Sequence, residues 1–166
     1  MEKQIYGVIL AGGQGTRMGN SDKPKQFLEV GGCPVLIHTV EKFAVISDFH
    51  QIIVLAPKQW LAYTKDIIRK YIRQHENIVV IEGGPTRNET IMNAIRYIED
   101  TGRLTDETII VTHDSVRPFV TYRIIEENIR YAEECGACDT VIPASDTIVE
   151  SRDSHFISNI PERKMM

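Results

Sequence analysis

One stretch near the start of the chain decides the expected fold: Ile5-Tyr6-Gly7-Val8-Ile9-Leu10-Ala11-Gly12-Gly13-Gln14-Gly15-Thr16-Arg17-Met18-Gly19. Its first part, residues 5–10, is an apolar run typical of a buried strand. The glycines that follow free backbone N–H groups to face an anion. The stretch therefore predicts a strand that leads directly into a phosphate-binding loop.

This loop matches neither of the two common phosphate-binding fingerprints. A Walker loop ends in Gly-Lys-Ser/Thr, and the dinucleotide pattern needs a third glycine where Met18 stands. Simple kinase and dehydrogenase functions are therefore disfavoured.

The rest of the chain alternates apolar runs with segments of helical spacing, which predicts parallel strands joined by helical crossovers. We expect an α/β fold with a three-layer α/β/α arrangement, a Rossmann-like and mostly parallel sheet, and ligands beyond the carboxyl ends of the strands. The predicted strands are residues 5–10, 51–56, 78–82, 108–112 and 140–142, and the predicted helices are residues 35–43, 60–72, 90–98 and 124–132.

The pattern changes near residue 145, where short alternating segments at 147–150 and 155–158 predict a projecting β-hairpin. We therefore divide the chain into an α/β nucleotide-binding domain, residues 1–144, and a β-arm, residues 145–166. A two-stranded ribbon is only marginally stable alone. The arm is expected to pack against a second copy of the chain, giving a homodimer, or to cover the site.

Composition excludes several classes of protein. The 166 residues carry a net charge of −4, which disfavours a nucleic-acid-coating surface. The longest apolar runs fall far short of the roughly 20 residues of a membrane span. Residues 1–6 lack the charge-then-apolar layout of an export signal, so none is expected there. Three cysteines suit a reducing compartment, so we expect a cytoplasmic protein. Cys135 and Cys138 form a CxxC pattern at a predicted helix end, where we expect core cysteines beside a glycine cap rather than a redox or zinc site.

Three cations follow the glycine loop closely: Arg17, Lys23 and Lys25. An arginine fork and a lysine point charge can stabilise the charge that develops when a nucleoside triphosphate is attacked at its α-phosphate. A solvated charged loop is an equally common fate for such a run. Spacing alone leaves both interpretations open.

Four ordered motifs nevertheless give the chain a specific resemblance. It resembles the cytidylyltransferases that make CDP-alditols, the ribitol-5-phosphate and 2-C-methylerythritol-4-phosphate enzymes, whose fold is of the nucleotide-diphospho-sugar transferase type. The details, including Ser115 after Asp114, look more like the ribitol branch. The matching segments are residues 9–19 with 24–27, 82–87, 111–119, and 146–147 with 160–163.

The resemblance implies a role for each matching residue. Arg17 and Lys25 would be catalytic, stabilising charge in the transition state. Thr147 and Arg163 would contact the acceptor phosphate, often in the neighbouring subunit's site. Asp114 would lie near the ribose and hold Mg²⁺, the implied cofactor. The CTP-binding residues would be Leu10, Ala11, Gly12, Gly13, Gly15, Gly84, Arg87, Thr90 and Asp114.

We accordingly expect CMP transfer from CTP to D-ribitol 5-phosphate, giving pyrophosphate and CDP-ribitol, a teichoic acid or capsule precursor of the cell wall. The first alternative is the methylerythritol enzyme of isoprenoid synthesis. The second is a nucleotide-binding or dimerisation module without turnover, since the chain is expected to lack the family's C-terminal segment. His113 is not needed as a base and is expected to hold the Asp114 loop.

Overall fold

The computed structural model describes residues 4–13 and 23–165. The strands are β1 (Ile5–Leu10), β2 (Glu29–Val30), β3 (Cys33–Pro34), β4 (Phe49–Ala56), β5 (Ile78–Glu82) and β6 (Ile109–Asp114). The centre of the molecule is a parallel sheet of four strands in the order β5-β4-β1-β6. A short antiparallel ribbon, β2 with β3, lies outside this sheet.

Helices cover both faces of the sheet, so the expected three-layer α/β/α architecture is confirmed. The helices are α1 (Val35–Ala44), α2 (Leu61–Tyr71), α3 (Arg87–Asp100) and α4 (Tyr122–Cys135). Alternate residues of β1 point to opposite faces, as the period of a strand requires. Ile5 and Ile9 pack with α1, α2 and α4, whereas Tyr6 and Val8 pack with α3.

The strand expected at residues 140–142 is wrong. This segment has no strand structure, and Val141 and Ile142 are 79% and 85% exposed. Within the described ranges β6 pairs with β1 alone, and a groove of about 820 Å³ runs between β6 and α4. A segment of β-branched residues becomes a strand only where a neighbouring strand pairs with its backbone groups. In the described part of the chain, residues 140–142 lie beside no such strand.

The expected hairpin is only partly formed. The chain reverses at residues 151–154, but a single antiparallel bridge, between Glu150 and Asn159, joins its two sides. The Asp153 carboxylate closes the turn by accepting the backbone N–H groups of His155 and Phe156, each at 2.9 Å. These hydrogen bonds lower the pKa of Asp153. The boundary of the arm as a separate unit stays a prediction.

The CxxC pattern lies at a helix end, as expected, but its cysteines are not core residues. Helix α4 ends at Cys135, and Gly136 adopts the left-handed conformation with φ 83°, which favours glycine. Cys135 and Cys138 are exposed free thiols. Separately, no helix in the described part of the chain is long and apolar enough to cross a membrane.

Candidate functional site

The candidate site is a cleft of about 580 Å³ at the carboxyl ends of the strands. After β1, the chain adds β4 and then β5 on one side of that strand. It then returns and adds β6 on the other side of β1. Such a reversal opens a crevice beyond the strand ends, where parallel α/β sheets bind ligands. The cleft therefore lies where the sequence predicts the site, and its role as the site stays a prediction.

The first part of the glycine loop forms one wall. Leu10, Gly12 and Gly13 line the cleft, and Ala11 lies beneath them, 1% exposed. The Ala11 N–H donates to the Leu55 carbonyl at 2.9 Å, which fixes the loop's first residue to β4. Gly15 and Arg17, assigned to the triphosphate and to catalysis, lie outside the described residues.

Two short 3-10 helices supply cations to the same cleft. Lys25 begins the one at Lys25–Phe27, and Lys58 begins the one at Lys58–Trp60 that follows β4. Both lysines are exposed, which leaves their ammonium groups accessible to an anionic ligand. Lys25 was predicted as a site residue, whereas Lys58 was not.

Gly84 and Thr90 define the wall opposite the glycine loop. A Cβ at Gly84 would lie 2.5 Å from Cβ of Glu89, so only glycine allows this loop to approach α3 so closely. Thr90 is buried, and its hydroxyl accepts the Gly84 N–H at 3.0 Å. The same hydroxyl lies 2.8 Å from the Thr86 carbonyl oxygen. The structure thus shows Thr90 holding the loop in place, and Gly84, Arg87 and Thr90 all line the cleft.

Helix α3 begins at this wall. Thr86 and Glu89 form a capping box, in which each side chain accepts the other residue's backbone N–H. The positive end of the helix dipole is thereby fixed beside Arg87 and the cleft, an arrangement that favours a bound anion. Sequence reasoning missed this feature, although Thr86-Arg87-Asn88-Glu89 carries the capping-box pattern.

Asp114 lies at the carboxyl end of β6 between two arginines. Arg87 and Arg117 both form ion pairs with its carboxylate, the latter at 3.0 Å. Partial burial acts to raise the pKa of Asp114, but the hydrogen bonds and charges of the two arginines outweigh it and lower the pKa below its usual value. Asp114 is therefore an anion whose charge is already compensated.

His113 and Ser115 flank this carboxylate and fix its loop. The His113 ring packs on Phe43 and its Nε2 lies 3.1 Å from the Arg117 carbonyl oxygen, which confirms the expected structural role. Ser115 is buried, and its carbonyl accepts the Thr39 hydroxyl at 2.8 Å.

Thr147 and Arg163 are brought together, as two contacts to one phosphate require. The Arg163 Nη2 donates to the Thr147 hydroxyl at 3.4 Å, across 16 residues of sequence. Both side chains are exposed, and neither lines the cleft with Lys25. Their role toward an acceptor stays a prediction.

Two carboxylates line the cleft, Glu82 at the end of β5 and Asp114 at the end of β6. Among the residues that the structure describes, no cluster of three or more histidine, cysteine or acidic side chains could hold a metal ion. Asp114 would thus have to share Mg²⁺ with phosphate oxygens, which is the usual habit of this cation at nucleotide sites.

Comparison with known proteins decides the family. Residues 5–166 match the family model described as IspD: 2-C-methyl-D-erythritol 4-phosphate cytidylyltransferase. The chain belongs to this family. The expected membership among CDP-alditol-forming enzymes is confirmed, and the erythritol branch is favoured over the ribitol branch that the motif details indicated.

Solved structures of similar fold are consistent with this family. The 4-diphosphocytidyl-2C-methyl-D-erythritol synthase of Anaerococcus prevotii has a TM-score of 0.77 and 27% identity, covering 98% of this chain and 65% of its own. The bifunctional IspDF of Campylobacter jejuni has a TM-score of 0.74 and 21% identity, covering 98% and 38%. The Francisella tularensis 2-C-methyl-D-erythritol 4-phosphate cytidylyltransferase has a TM-score of 0.68 and 23% identity, covering 96% and 66%.

These coverages also show that the chain spans about two thirds or less of the length of these three proteins. The family is one of nucleotidyltransferases. The expected role in teichoic acid or cell-wall synthesis is not supported by these comparisons.

Proposed function

We propose that this protein transfers CMP from CTP to 2-C-methyl-D-erythritol 4-phosphate and releases pyrophosphate. One observation carries the proposal: in a chain of this family, the glycine loop, Lys25 and Asp114 meet in one cleft at the sheet's reversal point. The family and the similar structures favour the methylerythritol acceptor.

In the proposed reaction a phosphate oxygen of the acceptor attacks the α-phosphorus of CTP. A new oxygen–phosphorus bond forms, the bond to the β-phosphate oxygen breaks, and pyrophosphate leaves. The nucleophile is already an anionic phosphate, so positioning and charge stabilisation carry the rate and no strong base is needed.

Each wall of the cleft has a task in this scheme. Backbone N–H groups of the loop at Gly12 and Gly13, with Gly15 beyond the described residues, would bind the triphosphate. The Lys25 ammonium, with Arg17, would stabilise charge on the α-phosphate oxygens as it develops. Gly84 and Arg87 would contact the nucleoside, and Thr90 would hold Gly84 for that contact.

Mg²⁺ fits the chemistry of Asp114, an ionised carboxylate whose hard oxygen atoms border the cleft. When bound, the ion would supply positive charge that offsets the charge of the phosphates. Asp114 would hold it. Arg87, which also faces the cleft, would remain available to contact the nucleotide.

The acceptor would be bound by Thr147 and Arg163 from the arm. An arginine fork can grip two phosphate oxygens at once, and the Thr147 hydroxyl beside it adds a donor. Since neither residue lines this chain's own cleft, we propose a homodimer in which each arm serves the neighbouring subunit's cleft. The exposed apolar side chains of the arm suit such a contact, since Phe156 is 76% and Ile157 62% exposed.

D-ribitol 5-phosphate is the second candidate acceptor. The observation in its favour is Ser115, which lines the cleft directly after Asp114, where the methylerythritol branch tends to carry alanine.

Acceptor profiling tests these proposals. The full-length protein is supplied with CTP, Mg²⁺ and either 2-C-methyl-D-erythritol 4-phosphate or D-ribitol 5-phosphate, and pyrophosphate release is measured. We expect kcat/KM to be at least about 100-fold higher for the methylerythritol substrate. The loss of a few hydrogen bonds with the other acceptor is enough to give a difference of this size. The reverse preference would establish the ribitol candidate, and CTP binding without turnover would contradict both in favour of a nucleotide-binding module.

A further inference from the structure

Gln26 is a buried amide that joins two separate parts of the cleft. Its side chain is 1% exposed. The Nε2 group donates to the carbonyl of Ala11 at 2.7 Å and to that of Gly13 at 3.0 Å. Both protons of one amide are therefore used on the glycine loop, 15 and 13 residues away in the sequence.

These two hydrogen bonds set the orientation of the loop's peptide groups. In a planar trans peptide the N–H of one residue points opposite to the carbonyl before it. Because the Ala11 carbonyl points toward Gln26, the N–H of Gly12 points away from it. Gln26 thus determines which way the loop presents its donors.

The backbone that carries Gln26 is itself held firmly. Phe27, directly after it, is 1% exposed and packs on the rings of Trp60 and Tyr63, with centroids 4.9 and 5.2 Å away. The Phe27 N–H donates to the Pro24 carbonyl at 2.9 Å. Lys25, directly before Gln26, faces the cleft.

We propose that Gln26 is a positioning residue of the cytidylyl transfer: its amide holds the loop at Ala11 and Gly13 in a fixed relation to Lys25. The inference rests on the proposed function of the cleft and names a residue to which that proposal gave no role. A nucleotide held by the loop would then meet the Lys25 ammonium without further rearrangement.

The first test compares Gln26→Met with the wild type of the full-length protein. Methionine has a similar length and no donor, so the Ala11 and Gly13 carbonyls lose their partner. By hydrogen–deuterium exchange without ligand, we expect peptides spanning Ala11–Gly13 to exchange at least about 10-fold faster, since local opening controls exchange. Gln59→Met, the same substitution at an exposed glutamine, should leave the exchange of the Ala11–Gly13 peptides unchanged.

The second test separates positioning from stability. We expect Gln26→Met to lower kcat about 100-fold, as expected when reacting groups are misplaced by about an ångström. The KM for the acceptor should change less than about 2-fold. Gln26→Asn keeps the amide but shortens its reach, so the kcat of this variant should lie between those of the wild type and Gln26→Met. Thr64→Val is the matched control: it removes the partly buried hydrogen bond to the Trp60 carbonyl, 2.8 Å long, and should shift the urea midpoint without lowering kcat.

The two failures are distinguishable. The role of Gln26 is overturned if the wild type is active and both Gln26→Met and Gln26→Asn keep its kcat. It is also overturned if Gln26→Met leaves the exchange of the loop unaltered. Either result leaves the proposed function standing. A wild type that gives no turnover with either acceptor overturns the proposed function, and the role of Gln26 in transfer with it.

Discussion

Two turns of this molecule share a sequence pattern and differ in what surrounds them. Pro24-Lys25-Gln26-Phe27 and Pro57-Lys58-Gln59-Trp60 each begin with an extended proline and continue as a 3-10 helix. In each, the aromatic residue's N–H donates to the proline carbonyl, at 2.9 and 2.8 Å. The similarity shows that the local sequence sets the conformation of the turn.

The difference lies in the glutamine. Gln26 is buried and bonded to the glycine loop, whereas Gln59 is exposed beside the cleft. The first turn gives way to an extended Leu28, whereas the second continues at Leu61 into α2. Both turns bring a lysine to one cleft, but among the described residues only the first turn is hydrogen-bonded to the glycine loop, through Gln26. On the proposed function we therefore expect Lys25 to act in the transition state and Lys58 only to attract the nucleotide by its charge.

The largest expected effect tests that assignment. Lys25→Ala should lower kcat about 1000-fold while CTP affinity falls much less, because a charge aimed at the transition state is missed most there. Lys58→Ala should weaken CTP binding by about 10-fold or less and leave kcat within about 3-fold. Single-turnover kinetics and calorimetric CTP titration measure the two quantities. Equal effects of the two substitutions would remove the distinction between the turns.

The next effect concerns stability. Phe27→Ala empties a fully buried position in the core and should cost about 3–4 kcal/mol of unfolding free energy. Trp60 is only partly buried, so Trp60→Ala should cost about half as much. Urea unfolding followed by far-UV circular dichroism compares them. A larger loss for Trp60→Ala would mean that the second turn is the more firmly anchored.

The acceptor side should be independent of both turns. Arg163→Ala should raise the acceptor KM about 30-fold, as expected for the loss of an arginine–phosphate contact, and leave CTP affinity nearly unchanged. Steady-state kinetics with each substrate varied in turn measures both. A selective loss of CTP binding would instead place Arg163 with the lysines of the turns.

The smallest effect lies on the far side of the cleft from the turns. Removing the Arg87 charge by Arg87→Met should raise the pKa of Asp114 toward its ordinary value, because one of the two arginines that lower it is lost. At neutral pH Asp114 should remain ionised in both proteins. The carboxyl carbon shift of Asp114, followed by NMR through the acid range, measures this. An unchanged titration would mean that Arg117 alone lowers the pKa of Asp114.

Much of the fold was predictable because its signals are local. Strands β1 and β5 begin and end at the predicted residues, and all four predicted helices are present. The strand predicted at residues 140–142 is absent because an apolar pattern does not show whether a partner strand lies beside it. The β2–β3 ribbon was missed, although Gly31 and Gly32, with φ 63° and 77°, are a hairpin signal between Val30 and Cys33.

The sequence by itself determined the alternation of strand and helix, the placing of a glycine loop after the first strand, and the family to which its motifs point. These depend on periodicity and on backbone preferences, which act over a few residues. Only the tertiary structure decided that Gln26 is buried and Gln59 is not, that Asp114 lies between Arg87 and Arg117, and that Thr147 meets Arg163. These relations join segments up to 27 residues apart, and only the packing of the chain brings such segments together.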